Sequence, residues 1–328
     1  MRWRKILIIL AILIFGWLVI LRLDFSRPEP QIIGATFSQP YAEWLGLNWR
    51  EIYLNILDGL KVRDLRLIAS WSEIEKQSSQ YDFTDLDWQI NEAAKRGARV
   101  LLVIGRRAPR WPECHIPSWA ANLNEAEQQA RVLKFLEAAV NHFKPFANIY
   151  MWQVDNEPFF KKFGICPPPD PDFISREIQL VKRLDNRPVL ITDSGELSWW
   201  HEAARAGDFF GTTMYRVVWN PRFGYFNYRY IIPPAFYRAK AWLNKLDNDK
   251  VIISELQAES WLPNNDKNIS LDDQRRSMNQ RQLRENLDLA RRTGFTTAYL
   301  WGVEYWYWLD NQGDDSLLKA GQAIWSKR

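Results

Sequence analysis

Eight short apolar segments, separated by stretches of helical character, constrain the fold of this chain more than any other feature. They are Ile32–Phe37, Asp64–Ala69, Arg99–Ile104, Ile149–Val154, Pro188–Thr192, Phe210–Tyr215, Val251–Glu255 and Thr297–Trp301. Segments of this kind are typical of parallel strands buried on both faces. Their alternation with helices predicts an α/β fold, a (β/α)8 TIM barrel. A doubly wound sheet is the alternative, but the first segment lacks the glycine-rich phosphate turn typical of that fold.

Helix start signals lie between several of these segments. Asn124 with Glu127 predicts a helix that continues to about Phe143. Thr84–Asp87 and Ser270–Asp273 resemble capping boxes in which Asp replaces the usual Glu. These signals support the strand–helix alternation that a barrel needs.

The first 23 residues form a separate apolar segment. Residues 6–21 carry no charge and follow the basic residues Arg2, Arg4 and Lys5. A helix over this run would extend ~24 Å at ~1.5 Å per residue, and charged residues at its ends would lengthen the span by reaching the head groups. The basic flank predicts a transmembrane anchor over residues 1–23 with its N-terminus in the cytoplasm. A cleaved signal peptide is the alternative.

Everything after this segment is predicted to lie outside the cytoplasm. Residues 24–30 contain two prolines and would form a stiff linker, and residues 31–328 would form the barrel domain. Export permits a disulfide, and the chain has two cysteines, Cys114 and Cys166. They fall in the loops after the third and fourth predicted strands, which are neighbours in a barrel. A Cys114–Cys166 bridge is one interpretation, and two free thiols are the other.

The composition excludes several classes of protein. The 43 Lys and Arg residues nearly balance the 39 Asp and Glu residues, and no strongly basic stretch occurs, so nucleic acid is not an expected partner. Three scattered His and two Cys are too few for the usual zinc-hydrolase cluster, and no metal or organic cofactor is expected. The 18 Trp indicate either a core packed with tryptophan side chains or a cleft lined with aromatic rings.

Two of the predicted strands end in a glutamate. The fourth continues into Asn156-Glu157-Pro158, and the seventh ends at Glu255. Active sites of TIM barrels lie at the carboxyl ends of the strands, so these two carboxyls should face each other across the barrel. One carboxylic acid that donates a proton and one carboxylate that attacks the anomeric carbon together cleave a glycosidic bond. A single strand-end glutamate is more often a salt-bridge partner, but this pair favours catalysis.

These motifs resemble those of the clan A retaining glycoside hydrolases, which are (β/α)8 enzymes. Leu65–Trp71 is similar to the strand-two segment of the cellulase-like family, and Tyr81–Phe83 to a stretch shared by several families of the clan. Arg110-Trp111-Pro112 resembles a loop of the β-galactosidase-like and β-xylosidase-like families. The resemblance covers about residues 32–308 and extends to the clan without assigning a family.

The resemblance implies a role for each matching residue. Glu157 would be the acid/base and Glu255 the nucleophile of a double displacement that retains the anomeric configuration. Arg66 and Tyr215 would orient Glu255 and keep it ionised, and Asn156 would bind the 2-hydroxyl of the sugar. Retention predicts carboxyl groups ~5–5.5 Å apart.

Aromatic residues are expected to bind the sugar rings. Trp301 would form the floor of the sugar site, Trp71 and Trp111 would contact substrate, and Glu304 is a further candidate for a functional acid. Half of the tryptophans are predicted at the active-site end of the barrel: Trp44, Trp71, Trp111, Trp119, Trp152, Trp261, Trp301, Trp306 and Trp308. The run Tyr305–Trp308 suggests an exposed platform.

The sequence therefore predicts a membrane-anchored, exported retaining glycoside hydrolase that acts on an oligo- or polysaccharide. A transglycosylase that uses the same residues is one alternative. A glycan-binding protein without activity and a membrane scaffold are others. The sugar, the linkage and the oligomeric state are not readable from the sequence.

Overall fold

The computed structural model describes residues 2–263 and 266–326. The ends of the predicted anchor and barrel domains, Met1 and residues 327–328, lie outside this range. The strands are β1 (Ile32–Thr36), β2 (Asp64–Ile68), β3 (Arg99–Ile104), β4 (Ile149–Val154), β5 (Val189–Asp193), β6 (Phe209–Met214), β7 (Val217–Asn220), β8 (Gly224–Asn227), β9 (Val251–Gln257) and β10 (Thr297–Trp301). The bounds of β3, β4 and β10 are those that the sequence predicts.

Helices follow most of these strands. The α-helices are α1 (Arg2–Arg22), α2 (Gln39–Trp44), α3 (Trp49–Asp58), α4 (Trp71–Ile74), α5 (Thr84–Lys95), α6 (Glu125–Phe143), α7 (Pro171–Leu184), α8 (Ala203–Ala206), α9 (Pro234–Leu243), α10 (Leu271–Arg275), α11 (Gln280–Arg292), α12 (Glu304–Asn311) and α13 (Ser316–Trp325). Short 3-10 helices cover Ser118–Ala120, Tyr228–Tyr230 and Asn248–Lys250.

Two of the three predicted helix caps are confirmed. Asn124 and Glu127 form a reciprocal capping box at the start of α6, and Ser270 accepts a hydrogen bond from the backbone N–H of Asp273 at the start of α10. The box at Thr84 is wrong, because Thr84 is already the first residue of α5. Asp82 instead accepts a hydrogen bond from the backbone N–H of Thr84 at 3.0 Å.

The strands close into a parallel barrel in the order β1-β10-β9-β6-β5-β4-β3-β2. The TIM barrel is confirmed and the doubly wound alternative is wrong. The chain departs from the simple β/α alternation after β6, where β7 and β8 form an antiparallel hairpin that the sequence did not predict. This hairpin lies at the carboxyl end of the barrel, beside the ends of β6 and β9.

The core divides into two layers because successive strand residues point to opposite faces. Leu101, Val103 and Met151 pack together in the smaller cluster, inside the barrel. Val100 and Leu102, their neighbours in sequence, belong to the larger cluster between the strands and the helices. A filled barrel interior leaves the carboxyl ends of the strands as the place for an open site.

Helix α1 precedes the barrel. Within the described residues it is the one helix long and apolar enough to cross a membrane, and the segment Lys5–Arg22 is not buried against the protein. A signal sequence would have the same length and composition. The residues after it lie against the barrel, where Phe25 donates a backbone hydrogen bond to Arg292 and the Arg27 side chain donates one to the carbonyl of Gly294.

Candidate active site

The carboxyl ends of the strands surround an open cleft of about 900 Å³. Five of the residues that the resemblance selects line this cleft, namely Asn156, Glu157, Tyr215, Glu255 and Trp301, and Trp111 lines it from the loop after β3. They come from the ends of β4, β6, β9 and β10. The barrel thus collects residues from distant parts of the chain at one end.

Glu255 lies within β9 and receives a hydrogen bond at each carboxylate oxygen. The guanidinium of Arg66, which is fully buried on β2, donates to Oε1 at 3.1 Å. The hydroxyl of Tyr215 donates to Oε2 at 2.8 Å. Two donors, one of them cationic, suit the ionised form of a carboxyl group.

The same arginine orients Asn156. Its Nη2 atom donates to the amide oxygen of Asn156 at 2.9 Å, and its Nε atom donates to Gln153 at 2.9 Å. Gln153 and Thr192 also donate to the Asn156 oxygen, each at 3.2 Å. Because its oxygen has these three donors, the amide nitrogen of Asn156 is directed away from them.

Glu157 stands on an irregular turn rather than on a strand. Strand β4 ends at Val154, and both Asp155 and Glu157 have positive φ angles, 55° and 46°. Such angles are uncommon for residues other than glycine and tend to occur at functional sites. Asp155 turns away from Glu157 and accepts a hydrogen bond from the backbone N–H of Arg107 at 2.9 Å.

The surroundings of Glu157 favour its protonated form. Burial raises the pKa of Glu157 well above its ordinary value, and the nearby carboxyls of Glu255, Glu113 and Asp193 raise it further. Arg107 opposes this effect only in part. A carboxyl that keeps its proton is what a general acid requires.

Glu113 is a buried residue of the cleft that the sequence did not predict. It lies in the loop between β3 and α6, beside Cys114, and accepts a hydrogen bond from the amide nitrogen of Asn156 at 3.1 Å. Burial raises the pKa of Glu113 to about 8. No strand-end pattern marks it, and the signal in the sequence was its position next to a cysteine of the predicted bridge.

Arg110 forms part of the wall of the cleft. Its guanidinium lies between the rings of Tyr41, 3.5 Å from the ring centre, and Trp301, 4.1 Å away. It also forms a bidentate ion pair with Glu259. The charge is thus compensated, and the pair supports the Trp301 ring from one side.

The loops on this side of the cleft are joined covalently. Cys114 and Cys166 form a disulfide with their Cα atoms 5.2 Å apart. The bridge connects the loop after β3, which carries Glu113, to the loop after β4, which carries Glu157. Neither cysteine is free.

Two predicted substrate contacts are wrong. Trp71 is fully buried, packs against Trp119 and donates its indole N–H to Glu75, so it does not line the cleft. Glu304 is also fully buried at the start of α12, where it accepts a hydrogen bond from the backbone N–H of Ser38 at 2.6 Å. Burial beneath the cleft wall keeps both side chains from a bound sugar.

The predicted aromatic platform is also wrong. Tyr305, Trp306 and Tyr307 belong to α12 and are buried. Among the nine tryptophans expected at this end of the barrel, the four that line the cleft are Trp44, Trp111, Trp261 and Trp301. Trp219 of the hairpin lines it as well, and the sequence did not predict this contact.

No metal site is evident in the part of the chain that the structure describes. It contains no group of three or more His, Cys, Asp or Glu side chains arranged to hold a metal ion.

Comparison with known proteins relates the chain to glycoside hydrolases. The sequence profile of glycosyl hydrolase family 10 matches residues 68–165. No curated protein sequence matches the chain. Xylanase 10B from Thermotoga maritima is similar in structure, with a TM-score of 0.54, 15% identity, and coverage of 88% of this chain and 85% of that chain.

Other solved structures share the barrel. GH5_18 from Bifidobacterium longum gives a TM-score of 0.59 at 11% identity, over 83% of this chain and 70% of that chain. The exo-β-1,4-mannosidase Op5Man5 from Opitutaceae bacterium strain TAV5 gives 0.54 at 14% identity over 85% of this chain. The chain spans only 53% of the length of that mannosidase. The chain therefore shares the (β/α)8 barrel fold of clan A glycoside hydrolases.

Proposed function

We propose that the chain is a retaining glycoside hydrolase in which Glu157 is the acid/base and Glu255 the nucleophile. The observation that carries this proposal is the difference between their surroundings. Glu255 accepts hydrogen bonds from Arg66 and Tyr215, whereas the pKa of Glu157 is raised by burial and by other carboxyls. Glycosidic cleavage requires one carboxyl that donates a proton and one that attacks as the carboxylate.

The reaction would proceed in two displacements. A carboxylate oxygen of Glu255 attacks the anomeric carbon, the bond to the leaving oxygen breaks, and Glu157 gives its proton to that oxygen. Glu157 then removes a proton from a water molecule, whose oxygen attacks the anomeric carbon and releases Glu255. The two inversions restore the original configuration.

The substrate proposed is a β-linked oligo- or polysaccharide. Trp44, Trp111, Trp219 and Trp261 line the cleft, and flat indole rings pack against the C–H faces of sugar rings. The open cleft of about 900 Å³ has room for more than one sugar. One of the structural relatives, the exo-β-1,4-mannosidase Op5Man5, acts by its name on a β-linked substrate.

We further propose that residues 1–23 anchor the enzyme in a membrane, that residues 24–30 connect anchor and barrel, and that residues 31–328 act outside the cytoplasm. The window Lys5–Arg22 has a mean hydropathy of 2.5 and no buried side chains, as a lipid-facing helix requires. Carbonate extraction of membranes and the N-terminal sequence of the mature protein test this proposal. A soluble product that begins after residue 23 would contradict the anchor and indicate a cleaved signal.

The catalytic proposal is tested by labelling the nucleophile. The wild-type protein is screened on 4-nitrophenyl β-glycosides and on β-linked polysaccharides, and is then incubated with the 2-deoxy-2-fluoro form of the best glycoside. We expect a covalent adduct on the peptide that contains Glu255, detected by mass spectrometry, because the fluorine slows release of the glycosyl-enzyme more than its formation.

A matched pair of variants completes the test. Glu255→Gln should lose turnover and labelling. Glu73→Gln, which changes an exposed glutamate at the rim of the same cleft, should retain both. Wild-type turnover by Glu255→Gln, or no turnover of any glycoside by the wild type, would refute the proposal. Products longer than the substrate would identify a transglycosylase.

A further inference from the structure

Glu113 is the third buried carboxyl of the cleft, and the proposed double displacement does not use it. Its side chain is 4% exposed and lines the cleft together with Glu157 and Glu255. It accepts a hydrogen bond from Asn156 Nδ2, and Arg107 Nε lies 3.7 Å from the same oxygen. A carboxyl is costly to bury, so its presence at this depth calls for a function.

The loop holds Glu113 rigidly in place. Its backbone N–H donates to the carbonyl of Arg110 at 2.7 Å, and its own carbonyl accepts from Ala108 at 2.8 Å. Gly164 of the loop after β4 packs so closely that a Cβ atom there would lie 2.7 Å from the Cβ of Glu113. The disulfide of Cys114 joins the same two loops. The carboxyl is therefore preorganised before any ligand binds.

One carboxyl oxygen remains available for a ligand. Within the described residues, the polar contacts of the side chain with Asn156 and Arg107 both involve Oε2, which leaves Oε1 for the cleft. Burial raises the pKa of Glu113 to about 8, so at neutral pH this oxygen is able to carry a proton. A hydroxyl group both donates and accepts hydrogen bonds, and it pairs with Oε1 in either protonation state.

Asn156, the hydrogen-bond partner of Glu113, indicates which group of a ligand would lie beside Glu113. The oxygen of Asn156 is occupied by Arg66, Gln153 and Thr192. One N–H of its amide points at Glu113, and the other is left to the cleft that Asn156 also lines. A sugar hydroxyl bound by this second N–H lies beside Glu113.

We propose that Glu113 is a specificity-determining residue that binds, through Oε1, the same sugar hydroxyl that Asn156 binds, the 2-hydroxyl next to the anomeric carbon. This inference rests on the proposed glycosidase function and adds a substrate requirement to it. Glu113 thereby adds to the preference of the enzyme for a sugar with a free 2-hydroxyl over its 2-deoxy analogue, because binding of the analogue leaves buried polar groups of Glu113 and Asn156 without partners.

The test compares two substrates and three proteins. The substrates are the 4-nitrophenyl β-glycoside that the wild type turns over best and its 2-deoxy analogue. For the parent substrate we expect Glu113→Ala to lower kcat/KM by roughly 10- to 150-fold, the value of one hydrogen bond to a polar or charged group. For the 2-deoxy analogue we expect the same variant to equal the wild type within about twofold, since the hydroxyl that Glu113 binds is missing.

Glu113→Gln serves as the conservative variant, since its amide oxygen still accepts from Asn156. It should fold like the wild type and lose less kcat/KM on the parent substrate than Glu113→Ala. Equal losses on both substrates, or no loss on either, would overturn the inference. These results are distinct from failure of the proposed function, in which the wild type lacks glycoside turnover or Glu255→Gln retains it.

Discussion

The ends of β4 and β9 carry the same residue type at nearly the same depth, with Glu157 7% exposed and Glu255 4% exposed. Their neighbours differ. Glu255 contacts the guanidinium of Arg66 and the hydroxyl of Tyr215, while the carboxyls of Glu255, Glu113 and Asp193 lie near Glu157. Burial alone therefore does not distinguish the proposed acid from the proposed nucleophile, whereas the charges and hydrogen-bond donors around the two carboxyls do.

The two backbones differ as well. Strand β9 continues past Glu255 to Gln257, so the proposed nucleophile is paired within the sheet, opposite Thr213 of β6 and directly after a register shift between the two strands. Strand β4 ends before Glu157, which stands on a turn with positive φ angles. The sheet positions the proposed nucleophile, whereas the loops that pack against Glu157 position the proposed acid.

The largest effect is expected from removal of the nucleophile. Glu255→Ala should lower kcat by roughly 10⁴- to 10⁶-fold, the range seen when a hydrolase loses a residue of its nucleophilic unit. Added azide should restore part of the turnover and give the glycosyl azide of inverted configuration, because the small anion replaces the carboxylate in a single displacement. A glycosyl azide that retains the configuration of the substrate would show that the nucleophile is a residue other than Glu255.

Removal of the acid should depend on the leaving group. Glu157→Gln is expected to lower kcat/KM by roughly 10²- to 10⁴-fold for a natural glycoside, whose leaving oxygen needs a proton. The 2,4-dinitrophenolate group leaves without protonation. The rate at which its glycoside glycosylates the enzyme, measured as the burst of released dinitrophenolate, should therefore be nearly unaffected. Equal losses on both substrates would remove the distinction drawn between the two glutamates.

Loss of one donor to the nucleophile should have a smaller effect. Tyr215→Phe removes the hydroxyl that donates to Glu255 at 2.8 Å, which should lower kcat by roughly 10- to 150-fold, the value of one hydrogen bond to a charged group. Tyr41→Phe, which changes a tyrosine of the same cleft that stacks on Arg110, is the matched control. Comparable losses in both variants would indicate a general effect on the cleft.

The pH profile tests the surroundings of Glu157. Only the protonated form donates, and its pKa is raised above the ordinary 4.5, so activity should persist above pH 4.5. It should then fall about tenfold per pH unit once the pH exceeds the raised pKa. The dependence of kcat/KM on pH for a natural glycoside measures this alkaline fall in activity. A fall centred at or below pH 4.5 would contradict the electrostatic contrast between the two glutamates.

The smallest effect on catalysis is expected from the disulfide. Reduction, or the double variant Cys114→Ser with Cys166→Ser, removes a bridge between residues 52 positions apart in the chain. The free energy of unfolding should fall by ~2–4 kcal/mol as a result. Thermal unfolding with and without a reductant measures this loss. Because the bridge joins loops that carry Glu113 and Glu157 rather than Glu255, labelling of Glu255 should survive. An unchanged melting temperature would show that the bridge adds no stability.

The barrel and the core of the site were predictable because their signals are local. Strand β3 is an apolar run with the predicted bounds. Glu255 lies near the end of such a run, and Glu157 lies just beyond another. Strand direction and pleat then determine that residues at strand ends meet at one edge of the barrel. This is why Arg66, Tyr215 and Asn156, all at or near strand ends, lie together with the two glutamates.

The residues that sequence reasoning misplaced or missed lie outside the eight strands of the barrel. Trp71 and Glu304 begin the helices α4 and α12, and Trp219 and Glu113 lie on the hairpin and on a loop. No repeating period relates such positions to the cleft. Their exposure depends on how loops separated by many residues pack over the barrel.

The sequence by itself determined the eight barrel strands, the closed barrel and the two strand-end glutamates, because periodicity and strand direction need only neighbouring residues. Only the tertiary structure decided which glutamate is surrounded by donors and which by carboxyls. It also decided which tryptophans reach the cleft and that Glu113 lies in it. Electrostatic surroundings and burial are sums over residues far apart in the chain, and they acquire values only when the fold brings those residues together.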